Sequence, residues 1–197
     1  MPVIWGLDLK EFTWDKFGSK NMWNNVYHLR RTKFIVYQLA MIFCVVSESL
    51  GTSAIDDYVH QQRKIASLDK AAHEHNDDYI GAGSYNIFCG IFVATIFGGA
   101  FFFDLIWPER HEDKGVRIAW KISGVVAAAA WLAASIAMTI VTTGRAAYVT
   151  GVSPERAQEL LQQYKKYNES PLDYRHNPRA VAAIVFSWLG FVSTVAR

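Results

Sequence analysis

Residues 118–143 read IAWKISGVVAAAAWLAASIAMTIVTT, with Lys121 as their single charge. A bilayer core about 30 Å thick is crossed by roughly 20 helical residues, so this stretch is long enough to span one. It lacks the strict alternation of a barrel strand. Three further stretches repeat the pattern. Residues 34–54 carry one charge, Glu48; residues 86–107 carry one, Asp104, near Trp107; residues 180–196 carry none and stop against Arg197. Together these runs make up close to half of the 197 residues. The expected fold is therefore all-α: an integral membrane four-helix bundle, with spans at about 34–54, 86–107, 118–143 and 180–196.

Composition agrees. Apolar residues are 51% and charged residues 19%, against about 25% charged in soluble proteins. The mean hydropathy, +0.07, averages very apolar stretches with very polar ones. Lys and Arg number 20 against 18 Asp and Glu, a net charge of +2 that is too balanced for a nucleic-acid binder. Two Cys do not make a disulfide framework, and Cys44 and Cys89 fall at different depths of their spans. Residues 1–33 are too polar and aromatic for a cleavable signal peptide, so the first span is expected to act as a signal anchor.

Orientation follows Lys and Arg near the spans. Arg30, Arg31 and Lys33 precede the first span, and Arg110, Lys114 and Arg117 lie in the short 108–117 turn. Both termini are expected in the cytosol, with loops 55–85 and 144–179 outside and the plasma membrane favoured over internal membranes. Residues 1–33 interleave Trp5, Phe12, Trp14, Phe17, Trp23 and Tyr27 with charges. They read as a cytosolic interfacial segment or a small packed cap, ahead of a membrane domain over 34–197.

Residues 55–80 contain neither Pro nor Gly, so the first helix is expected to run on beyond the membrane. Asp77-Asp78 with Gly81 and Gly83 read as the turn into the second span. His73 and His75 flank Glu74 but bring no further metal ligand at a suitable spacing. In SPERAQELLQQYKKY, Ser153 is an N-cap and Pro154 suits the first helical position. Leu160, Leu161, Tyr164 and Tyr167 form the apolar side of this amphipathic extramembrane helix, expected on the membrane or capping the bundle. Asn168-Glu169-Ser170 is a glycosylation sequon on the expected outer side, disfavoured by Pro171.

Ionisable groups inside spans are functional candidates by default. Asp104 lies three residues inside Trp107 and Lys121 four residues inside Arg117, so they match in depth on antiparallel neighbours and read as an ion pair or as side chains that snorkel separately. Glu48 lies about 21 Å along the helix from Phe34, level with Ser135 and Ser187. It is either a neutral carboxyl hydrogen-bonded inside the bundle or a proton or cation site. Gly90, Ala94 and Gly98, and Gly124 with Ala128, form small-residue stripes suited to close helix packing. No span contains His, which removes a bis-His haem, and no nucleotide-binding, hydrolase or metalloprotease motif is present. No cofactor is expected.

The segments KFIVYQLAMIFCVVSESLGT, FFFDLIWPER and NPRAVAAIVFSWLG resemble a group of four-span membrane proteins of filamentous fungi to which no activity is assigned. The layout is similar to MARVEL-type tetraspan proteins. The resemblance implies four helices, cytosolic termini and two outer loops, but no catalytic residues. A longer fourth helix with a cytosolic tail is expected in such a group, so the chain reads as ending short. A claudin-like chain would carry a Cys pair in 55–85 and a tetraspanin a Cys-Cys-Gly motif in 144–179; neither loop contains Cys. The function expected is non-enzymatic: a multi-pass protein that organises membrane domains or accompanies a larger complex. Its partners would be the lipid bilayer and a membrane protein or second copy, with no nucleic acid. The alternative is a small transporter or channel subunit using Glu48; a lipid-modifying enzyme would need an interfacial His/Asp cluster that is not seen.

Overall fold

The computed structural model describes residues 3–4, 7–24, 26–27, 29–109, 112–165 and 171–196. Six α-helices follow in order: α1 (Ser19–Met22), α2 (Arg30–Leu68), α3 (Asp77–Ile106), α4 (Lys114–Gly144), α5 (Pro154–Lys165) and α6 (Pro178–Val195). Four of them, α2, α3, α4 and α6, are long and apolar enough to cross a membrane. Two antiparallel ribbons complete the chain: β1 (Val3–Ile4) with β2 (Leu7–Asp8), and β3 (His73–His75) with β4 (Tyr148–Thr150). The molecule is mostly helical, as expected, with these short strands added.

The four long helices run alternately up and down. Each packs on two neighbours: α2 on α3 and α6, α4 on α3 and α6. Their buried positions follow one repeat. On α2 these include Tyr37, Ala40, Cys44, Ser47, Gly51, Ala54, Tyr58, Gln61 and Ile65; on α3 they include Tyr79, Gly83, Asn86, Gly90, Val93, Phe97, Ala100 and Asp104. The steps alternate three and four. That is the repeat whose seam keeps facing its neighbour when helices cross at roughly 20°. On α6, Ala180, Ala183, Ser187, Gly190 and Thr194 continue it. Much of the seam is Gly, Ala or Ser, which lets the backbones approach closely.

Arg30, Ile106, Lys114 and Val195 mark one end of these helices, the near end. The N-terminal segment caps it. The Trp107 indole N–H donates to Asp8 O at 3.0 Å, the Lys16 ammonium donates to Ile106 O, and Phe17 packs on Phe102. The described part of residues 1–33 thus packs on the helix ends through these contacts. Its Trp14 and Phe12 remain exposed; Trp5 lies outside the described residues.

At the far end α2 projects well past the other helices. At about 1.5 Å per residue its 39 residues extend about 58 Å, so it does run on beyond a bilayer's thickness. The turn into α3 is not at Gly81 and Gly83. It occupies the segment from Asp69 to Asn76, and both glycines lie inside α3. Gly83 is a close-approach position: a Cβ there would stand 2.7 Å from Ile55 Cδ1. β4 leads into Gly151, whose φ of +86° belongs to the left-handed region and whose added Cβ would meet Ala71 O at 1.9 Å.

Helix α5 begins as its sequence indicates, with Ser153 Oγ accepting from Arg156 N. Its apolar side packs through Leu160 onto Ile65 and Ala72, so it caps the projecting part of α2. Tyr167 and the Asn168 sequon fall outside the described residues. Beneath this cap Tyr58, Tyr79 and Tyr174 cluster with centroids 4.9–5.1 Å apart, Tyr58 meeting the other two edge-on. Tyr174 donates to Asp78 Oδ1 at 2.8 Å and Tyr58 to Pro171 O at 3.0 Å. Helix α6 then starts at Asn177, whose side chain accepts from Arg179 N and Ala180 N, with Pro178 at the first helical position.

Candidate functional site

Two arrangements stand out among the long helices: a polar cluster at their centre and a cavity at their near end. The cluster takes one residue from each helix. Ser135 Oγ and Ser187 Oγ are 2.6 Å apart, Ser187 Oγ donates to Asn86 Oδ1 at 3.4 Å, and Asn86 Nδ2 donates to Ser47 Oγ at 3.3 Å. Ser47 Oγ in turn donates to Ala183 O at 2.8 Å. All four side chains are fully buried. Beside them lies Trp131, also fully buried, its indole N–H donating to Ser187 O at 2.8 Å. Gly90 and Gly190 make its slot: an added Cβ would stand 3.3 Å and 3.1 Å, respectively, from the indole.

The sequence placed Ser135 and Ser187 at the level of Glu48, and the two serines do meet. The α2 member is Ser47, one residue earlier. Glu48 is half-buried on the α2–α3 seam, its Oε2 3.4 Å from where a Cβ on Gly90 would be. One residue is about 100° around a helix, which separates the core face from the seam. Asn86, Ser47 and Trp131 were not read as site residues; the three–four spacing of the buried positions is the signal that marks them.

The small-residue stripes are used unevenly. Gly90 and Gly98 face α2, with a Gly98 Cβ position 3.3 Å from Met41 Sδ. Ala94 and Ala128 are half-buried. The buried face of α4 runs instead through Ala127, Trp131, Ala134 and Met138, while Gly124 lines the near-end cavity.

That cavity, about 490 Å³, opens between α2, α3 and α4. Lys33 and Tyr37 come from α2, Phe103 and Asp104 from α3, and Arg117, Trp120 and Lys121 from α4; Glu112 enters from the turn before α4. The expected Asp104–Lys121 ion pair is not what holds Asp104. Its Oδ2 accepts from Tyr37 OH at 3.0 Å, and its backbone oxygen accepts from Arg30 Nη1 at 3.2 Å. Lys121 lines the same cavity and is exposed. Asp104 and Lys121 do line the same cavity, but a tyrosine from α2 reaches the carboxylate. Glu112 Oε1 stands 3.6 Å from Arg117 Nε, with the Glu112 side chain only 3% exposed. Its Oε2 is buried with no hydrogen-bond partner among the described residues.

A further buried carboxyl lies at the far end. Glu74, on β3, accepts from Asn76 Nδ2 at 3.4 Å. Burial pushes its pKa up to about 7, opposed in part by the Asn76 bond. The flanking histidines point to ordinary ribbon contacts: His75 stacks on Tyr148 and pairs with Thr150 Oγ1 at 2.8 Å. No family model, curated protein or solved structure matches the chain.

Proposed function

We propose that the chain is a multi-pass membrane protein whose four long helices form a bundle spanning the bilayer, and that it works without catalysis, organising membrane domains or accompanying a larger membrane complex. One observation carries the membrane reading. The polar side chains of the long helices converge inward, on Ser47, Asn86, Ser135 and Ser187, while Ile35, Ile42, Phe88, Ile91, Val125, Ile140, Val185 and Val192 face outward. Water would favour the opposite arrangement, whereas lipid favours this one. The basic residues Lys33, Lys114 and Arg117 gather at the near end, which supports a cytosolic near end and cytosolic termini. Exposed Trp14 and Phe12 suit the headgroup layer there. The plasma membrane is the proposed location.

The organising role is supported by the closely packed small-residue seams, which make a stiff body, and by the far-end cap, which offers a surface outside the membrane. Chemical crosslinking in intact cells, then purification in mild detergent, tests it. A reproducible membrane-protein partner or a second copy is expected; a monomer without partners would overturn the role. A transporter using Glu48 needs that carboxylate beside polar, hydrated groups. Glu48 stands against Gly90 and apart from the central cluster. Proton or cation flux in vesicles that is lost in Glu48→Gln would promote the transporter instead.

A further inference from the structure

We propose that the near-end cavity binds the headgroup of an aminophospholipid, one that carries a phosphate and a primary ammonium. This rests on the membrane reading above and adds a ligand to it. The cavity has two chemistries. Its upper wall, toward the middle of the helices, is apolar: Ala100, Phe103, Gly124 and Val125. Its remaining lining is charged, with Lys33, Lys121, Arg117 and Glu112. An amphiphile fits this division, with its chain along the apolar wall and its phosphate between the lysines.

Glu112 selects the rest of the headgroup. Its side chain is almost wholly buried and Arg117 stands near one oxygen only. The other oxygen, Oε2, is buried without a donor among the described residues. A buried carboxylate oxygen calls for an N–H or O–H. A primary ammonium supplies an N–H together with a positive charge that matches the carboxylate; a choline ammonium has no N–H to give, and a glycerol headgroup donates only neutral O–H groups. Asp104, by contrast, already has a donor, Tyr37 OH, at its Oδ2. The three cations of the lining outnumber its two carboxylates by one, so the site offers partners for the phosphate as well as for the ammonium. The cavity also lies at the level of Trp107 and Trp120, residue types that favour the headgroup layer.

Ethanolamine and serine phospholipids share this chemistry, and the test separates them. The full-length protein is purified in mild detergent and titrated with four phospholipids of identical chains, bearing ethanolamine, serine, choline or glycerol headgroups. Retained lipid is counted by native mass spectrometry. Ethanolamine, serine or both should be retained roughly tenfold better than choline and glycerol, in line with a hydrogen bond to a charged group. Glu112→Gln should erase the preference for ethanolamine over choline. Lys121→Gln, at an exposed position, should weaken retention of all four while leaving the thermal midpoint unchanged, which keeps the test open if the buried variant fails to fold. Equal retention of all four headgroups by the parent overturns the proposal, and so does unaltered retention in Lys121→Gln. Flotation with liposomes is measured alongside. A parent that fails to float refutes the membrane reading; one that floats without headgroup preference refutes the site alone.

Discussion

Replacing Gly190 by Ala adds one methyl group at a crowded point of the helix seams. Its carbon would stand 3.1 Å from Trp131 Nε1 and 3.2 Å from Cys44 Sγ, inside the ordinary contact distance of about 3.5–4.0 Å. Neither neighbour has room to yield. The indole is fully buried, and its N–H is tied to Ser187 O one turn away on the same helix as Gly190. Overpacking of this kind costs about 1–3 kcal/mol, and a weakened indole hydrogen bond adds about 1 kcal/mol. Ala returns about 1 kcal/mol through its better helix propensity. The net expectation is a loss of about 1–3 kcal/mol. Gly81→Ala is the control. It lies inside α3 near the far end, where nothing stands within 4 Å of an added Cβ, so only the propensity gain of roughly 0.5–1 kcal/mol remains. Thermal unfolding in one detergent, followed by circular dichroism, should lower the midpoint of Gly190→Ala and raise that of Gly81→Ala. A Gly190→Ala midpoint at or above the parent would refute the placement of Trp131 between α3 and α6.

Glu74 gives a pH dependence with a definite sign. Its pKa is raised in the folded state, from 4.5 to about 7, so the folded protein holds a proton that the unfolded chain has released, and stability falls as pH rises between those values. The loss is up to about 3 kcal/mol at ~1.4 kcal/mol per pH unit. Glu74→Gln should flatten a pH 5–8 series of thermal midpoints and raise the midpoint at pH 8; a parent with no slope would sink this reading. In the central cluster, Ser135→Ala and Ser187→Ala should be coupled by about 0.6 kcal/mol in a double-mutant cycle, and strict additivity would show that their hydroxyls do not pair. Gly151→Ala should disrupt the β3–β4 ribbon, detected as faster hydrogen exchange at Glu74 and Val149, because its Cβ would collide with Ala71 O. For orientation, Cys placed at Ser67 or Gln163 should react with an impermeant reagent on intact cells, while Cys at Asp113 should not; the reverse pattern would invert the topology.

What was legible in the sequence was axial. Hydropathy located the four long helices, the absence of Pro and Gly carried α2 outward, and Ser153-Pro154 marked where α5 starts. Depth counting placed Asp104 with Lys121, and Ser135 with Ser187, at shared levels. It did not give the azimuth. Tyr37 therefore went unnoticed as the donor to Asp104, and Glu48 was grouped with a cluster whose α2 member is Ser47. Residue 86 looked like the edge of an apolar run, yet Asn86 is the hub that links Ser47 to Ser187. Gly81 and Gly83 were read as chain reversers because Gly is the usual turn residue. At Gly83 the missing side chain admits Ile55 instead. The β3–β4 ribbon joins residues 75 positions apart in the chain, as in the pairing of His75 with Thr150 Oγ1, and no local pattern announces a partner so distant.

Helix α2 carries Tyr37 at the cavity and Tyr58 and Ile65 in the far-end cap on one continuous seam, with no Pro anywhere along it. Tyr37 and Tyr58 stand 21 residues apart on it, about 32 Å of axial rise. One uninterrupted helix thereby ties the cavity at the near end to the cap at the far end, so the distance between them is set by helical rise rather than by loops.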